Sequence, residues 1–134
     1  MQWKYIKTME STDQISEFEK LTGFSFPKDF TDCVLKNNGG RPEPATFDTD
    51  KNKGRAIKHL LSFNREDRES IWDISEWNKD DLSDKYVAFA IDDAGNLICF
   101  DKADNKVVFI NHENPAAIER VAESFADYLN KLYE

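Results

Sequence analysis

Apolar positions along the chain follow two spacings, and the change between them separates helices from strands. Ile15, Phe18 and Leu21 recur every third residue behind Ser11-Thr12-Asp13, whose side-chain oxygens suit a helix cap. Gly23 follows as a residue able to take the left-handed stop, so a helix is predicted between them. A second helix is predicted to open at Pro27, whose fixed φ and missing N–H suit a first-turn position. It would turn Phe30, Cys33, Val34 and either Leu35 or Asn37 inward and end at Asn38-Gly39-Gly40. Residues 41–55 hold two prolines, a glycine and many charges, which read as a surface loop. A strand is predicted through Ile57, Leu60, Leu61 and Phe63.

From Asn64 to Asp84 the pattern reads as helical in its first half, with Asn64 as cap and Ile71, Ile74 and Trp77 as an apolar stripe. Ser75, Asn78 and the acids of 80–84 weaken its far end. The β signal comes next. Residues 86–91, 97–100 and 107–110 are rich in β-branched and aromatic residues and are separated by Asp92-Asp93-Ala94-Gly95-Asn96 and by 101–105. Turn residues between such runs predict a three-stranded antiparallel meander. Ile118, Val121, Ala122, Phe125, Leu129 and Leu132 mark one face of a predicted C-terminal helix opened near Asn114-Pro115. The order predicts a single α+β domain over residues 1–134: a central antiparallel sheet with an N-terminal helical pair and a C-terminal helix packed on it.

A chain of 134 residues and 15.5 kDa suits one domain and buries enough surface to need no disulfide or metal staple. Ten Phe, four Tyr and three Trp speak for a packed core. The balance of 26 acidic to 18 basic residues gives a net charge of −8, which disfavours a nucleic-acid surface because phosphates need clustered cations. No window approaches the roughly 20 apolar residues of a membrane span, and the N-terminus lacks the apolar stretch of a signal peptide. Cys33 and Cys99 each lie within an apolar run and read as buried free thiols. A soluble cytoplasmic protein is expected.

Candidate chemistry is thin. His59 and His112 are the two histidines, neither falls in a nucleophile motif, and both read as structural. His112-Glu113 opens like H-E-x-x-H, but the fifth position is Ala116 and Pro115 interrupts the helix. Asp48, Asp50 and Asn52 have the alternation of a calcium loop, yet the glycine position is Lys53, the bidentate position is His59, and Lys51 and Arg55 add repelling charge. Asn38-Gly39-Gly40-Arg41 follows a helix, whereas a phosphate cradle opens one. Asp92, Asp93 and Asp101 bracket a hairpin and read as turn-bonding side chains. No catalytic residue, cofactor or metal is expected.

Charge placement says more. Residues 66–84 hold eight acids against Arg68 and Lys79, while residues 41–65 hold six cations against Glu43, Asp48 and Asp50. Trp72 and Trp77 lie within the acidic stretch, and aromatic anchors among carboxylates suit docking to a basic protein surface. Trp77, at the spacing of Ile71 and Ile74, reads as core; Trp72 falls off that stripe and reads as the exposed anchor. The expected partner-binding set is Trp72, Asp73, Glu76, Asp80 and Asp81.

Several segments in order carry a family resemblance. Ile15, Phe18, Glu19 and Leu21-Thr22-Gly23 lead into Phe26-Pro27-Lys28-Asp29-Phe30 and Asn37-Asn38-Gly39-Gly40. Leu61-Ser62-Phe63-Asn64, Val87-Ala88-Phe89-Ala90, Asp92 with Gly95-Asn96, and Cys99-Phe100-Asp101 follow. Val121-Ala122, Ser124-Phe125 and Tyr128-Leu129 close the series. From about residue 12 to the end, this order resembles the SUKH superfamily of bacterial immunity proteins and fungal cell-wall (glucan) synthesis regulators; Ala94 departs from it where a second turn glycine is expected.

The resemblance implies a non-enzymatic α+β domain, in bacteria an antitoxin that blocks one cognate toxin, often a nuclease. The expected partner is therefore a toxin protein with a basic nuclease domain, of a polymorphic or contact-dependent system, and neither nucleic acid nor membrane. The alternatives are a regulatory binding module in cell-wall synthesis or signalling, and a small hydrolase or ligand-binding domain using Asp92, Asp101 or His112. The partner-choosing surfaces differ among members, so no binding residue transfers by motif.

Overall fold

The computed structural model describes all of residues 1–134. Its elements run β1 (Gln2–Lys4), α1 (Asp13–Thr22), α2 (Lys28–Asn37), β2 (Arg41–Glu43), β3 (Thr46–Phe47), β4 (Arg55–Ala56) and β5 (His59–Leu60). Then come α3 (Ile71–Trp77), α4 (Lys79–Leu82), β6 (Tyr86–Ile91), β7 (Leu97–Asp101), β8 (Val107–Ile110), β9 (Glu119–Ala122) and α5 (Phe125–Lys131). This is an α+β fold whose antiparallel sheet has the order β5-β6-β7-β8-β9, with β1-β2 and β3-β4 as separate two-stranded pairs.

The predicted meander is the middle of that sheet. Val87 pairs with Phe100 and Ala88 with Cys99, and a bulge between Ala88 and Ala90 shifts the register. The Asp92 carboxylate takes the N–H groups of Ala94 (3.0 Å) and Asn96 (2.8 Å), closing the β6–β7 turn as an Asx side chain does. The helical layer meets the sheet through aromatic rings. Phe30 of α2 lies 5.6 Å from Phe89, 5.4 Å from Phe100 and 5.2 Å from Phe125 of α5, in the edge-to-face arrangement that ring quadrupoles favour. Helix α1 ends as expected at Gly23, whose φ of 69° is open to glycine at no steric cost.

Four expectations are corrected. Residues 41–55 contain strands: Pro42 sits in the edge pair β1–β2, where its missing N–H is tolerated, and Phe47 is fully buried against Phe109 and Tyr128. The strand predicted over 57–63 contracts to β5, because the Phe63 N–H leaves the sheet for the Asn38 side chain (2.9 Å). Asn64 caps no helix. Its amide is buried, accepting from Glu10 N–H (2.9 Å) and donating to the Thr8 carbonyl (2.9 Å), and the chain turns until Ser70 caps α3. The C-terminal helix opens ten residues past Asn114, at the Ser124 cap, because 119–122 pair with β8 as a fifth strand.

Side-chain directions differ too. Leu21 is 71% exposed and Leu35 also faces outward, while Cys33 is half-buried and Cys99 fully buried, both as free thiols. Burial raises the Cys33 thiol above its ordinary pKa. No helix is long and apolar enough to cross a membrane.

Candidate protein-docking surface

Helix α3 is started by Ser70, whose hydroxyl accepts the Asp73 N–H at 3.1 Å. Each residue then advances about 100° around the axis, so Ile71 and Ile74 share the buried side. Helices α3 and α4 pack with that side toward β6. Trp72 is drawn in by a second neighbour, α1. Its ring meets Phe18 edge-on at 5.2 Å, and its Nε1–H donates to the Phe63 carbonyl at 2.9 Å. The remaining face of that indole carries the Arg65 guanidinium, 3.5 Å from the ring centroid.

The two expected tryptophan roles are therefore exchanged. Trp72 is half-buried and fully partnered, while Trp77 is 70% exposed. The reason is angular drift: two successive steps of three residues carry Trp77 about 120° away from Ile71 around the helix. That rotation sets Trp77 about 40° from Asp73, which precedes it by four residues on the same face. Asp80 and Asp81 follow at three and four residues, past the break at Asn78 that separates α3 from α4.

Of the expected set, Asp73 borders the same shallow depression as Trp77, Glu76 directly precedes Trp77 in α3, Asp80 and Asp81 lie on α4 beyond it, and Trp72 packs half-buried against the core. Glu76 and Asp80 are exposed, Asp73 and Asp81 half-buried. Asp73, Asp80 and Asp81 have no cation within 4.0 Å, and Glu76 has Lys79 at 3.3 Å. Elsewhere in the stretch two of the acids, Asp67 and Glu69, are held by internal partners. Asp67 accepts from Ser62 (2.6 Å) and Asn64 (3.0 Å). Glu69, in a left-handed conformation with φ 53°, accepts from Lys58 Nζ (2.9 Å) and lies 2.8 Å from His59 Nε2. Burial alone would raise its carboxyl, but those two partners hold it below the usual glutamate range. Lys58, Glu69, Arg68 and Asp73 wall a shallow depression beside Trp77.

The other candidates resolve into structural roles. Asp92, in the turn after β6, and Asp101, the last residue of β7, stand at opposite ends of the β6–β7 pair, about 16 Å apart along the strands, and Asp101 accepts the Ala103 N–H at 2.9 Å. His112 is exposed, its backbone N–H held by Asn96 (3.0 Å). In the loop 48–54, Asp48 accepts from Gly54 N–H (3.0 Å) and Tyr133 O–H (2.6 Å), and Asp50 from Arg120 N–H (2.8 Å). A broad cleft between this loop, β8 and β9 is lined in part by these loop residues, together with Arg120, Lys106 and Lys131.

One network has no signal in the sequence: Glu119, 4% exposed, accepts two bonds from Arg55 (3.1 and 2.9 Å) and one each from Thr49 (2.6 Å) and Asn52 (3.1 Å). These partners lie more than 60 residues away along the chain.

Fold and surface define a small α+β domain that exposes an acid-rich helical segment. The chain matches the SMI1 / KNR4 family (SUKH-1) over residues 9–131 and belongs to that family, whose members are generally non-catalytic. No curated protein matches the chain.

Proposed function

We propose that the chain is a non-enzymatic immunity protein that binds a cognate toxin domain, a basic nuclease of a polymorphic or contact-dependent system, and occludes its active site. The observation that carries this reading is the α3–α4 face, where a large exposed indole shares two short helices with Asp73, Asp80 and Asp81, none of which has an internal ion-pair partner, and with Glu76, which pairs only with the exposed Lys79. A nuclease must be cationic to hold phosphates, and an acidic surface can occupy the same field with fast, salt-sensitive association. An aromatic anchor at the centre of such a patch supplies the desolvated contact that slows dissociation.

The test is survival. Bacteria expressing the basic nuclease toxin domain that this reading requires as partner are expected to grow when the chain is co-expressed and to die when Trp77→Ala and Asp73→Lys are introduced together. Equal killing with and without the native chain overturns the reading. Capture of cell-wall synthesis or signalling proteins as the stoichiometric partner would replace it by a regulatory one.

A further inference from the structure

Guanidinium groups in this molecule are held in a repeated way. Arg65 lies 3.5 Å over the Trp72 ring with the Glu17 carboxylate 3.6 Å from its Nη2. Arg55 lies 4.1 Å over the Phe109 ring with Glu119 receiving both its Nε and Nη2. In each case an aromatic face takes the flat side of the cation and a carboxylate takes its N–H edge. Trp77 and Asp73 present the same two components on one helical face, one turn apart, and the cation is missing. Lys58 is held by Glu69, and Arg68, which borders the same depression, does not lie over the indole.

We infer that Trp77 and Asp73 form a receptor for an arginine side chain of the partner. The guanidinium stacks on the exposed indole, and the Asp73 carboxylate accepts its N–H groups, with Asp80 and Asp81 adding to the attracting field. Arginine fits better than lysine because its planar cation can stack and donate in parallel at once, whereas an ammonium offers a compact, strongly hydrated charge. The inference rests on the reading above for which face meets a basic partner, and adds which side chain of that partner is recognised.

The experiment needs no toxin. The full chain is titrated with blocked Gly-Arg-Gly, and with the matching lysine and citrulline peptides, while the indole N–H resonances of Trp3, Trp72 and Trp77 are followed by NMR; Trp77→Phe assigns the third. The Trp77 resonance is expected to shift with the arginine peptide, saturating at several-fold lower concentration than with lysine and not at all with neutral citrulline. Asp73→Asn is expected to weaken the arginine response at least threefold, with the Trp72 resonance unmoved as an internal check that the fold is intact. An unmoved Trp77, an equal response to citrulline, or an Asp73→Asn variant that binds like the native chain overturns the inference. Failure of the immunity reading would show in the survival assay and leave this titration intact; a toxin neutralised by a chain whose Trp77 ignores arginine would be the converse.

Discussion

Trp72 and Trp77 sit five positions apart and carry opposite burdens. Trp72 loses a hydrogen bond to the Phe63 carbonyl and most of its stacking with Arg65 if it becomes phenylalanine. The expected cost is about 1–2 kcal/mol of stability, read from the urea midpoint. Trp77→Ala removes an indole that is 70% exposed, so the midpoint should stay within about 0.5 kcal/mol of the native chain. A reversed order of those two effects would contradict the assignment of core and anchor. The spacing of Ile71, Ile74 and Trp77 is misleading here because three-residue steps drift around a helix, and because Trp72 is buried by α1, a neighbour that local sequence does not reveal. The signal that was available is the pairing of Trp77 with Asp73 four residues before it, which marks a polar face.

At the level of elements, the loop 48–55 is fastened to strand β9 by the Arg55–Glu119 pair. Burial alone would raise the Glu119 carboxyl, but hydrogen bonds from Arg55, Thr49 and Asn52 and the charge of Arg55 bring it below the ordinary value of 4.5. A carboxyl lowered in the folded state contributes stability that is present above 4.5 and lost as the pH falls through its folded value. Arg55→Met strands a nearly buried carboxylate and is expected to cost about 2–3 kcal/mol at pH 7, less than a fully buried pair because Arg55 is partly exposed. The variant should also lose less stability than the native chain as the pH drops below 4.5. Urea midpoints measured from pH 7 to pH 3 check both statements; parallel curves would show that the pair does not govern the acid limb.

The elements that local pattern foretold are those whose boundaries are chemical. Gly23 and Pro27 punctuate α1 and α2, and Asx turns separate the strands of the meander. What escaped was built from distant partners. Strand β9 exists because Val107 and Val108 pair with Ala122 and Arg120, while its own apolar residues continue the spacing of α5. Short strands β2 to β4 likewise depend on β1, on each other and on Phe47 reaching the core between Phe109 and Tyr128. The acidic composition of the proposed docking face was legible from the run itself. Which tryptophan it exposes was not.

Across the whole molecule, a net charge of −8 is concentrated rather than spread, since residues 66–84 alone hold eight acids against two cations. Membership of the SMI1 / KNR4 family fixes the scaffold, and the run that includes α3 and α4 carries most of the chain's excess negative charge. A field of that sign accelerates encounter with a cationic partner and is screened over about 8 Å at physiological salt. The most direct measurement is the affinity of the proposed partner, a basic toxin nuclease domain, for the native chain and for a variant with Asp73, Glu76, Asp80 and Asp81 all changed to Lys, across a range of salt. Tight binding to the native chain that weakens with salt, and at least a hundredfold loss in the variant with its salt slope reversed, is the expected result. An affinity and a salt slope unchanged by the four substitutions would contradict the assignment of this face.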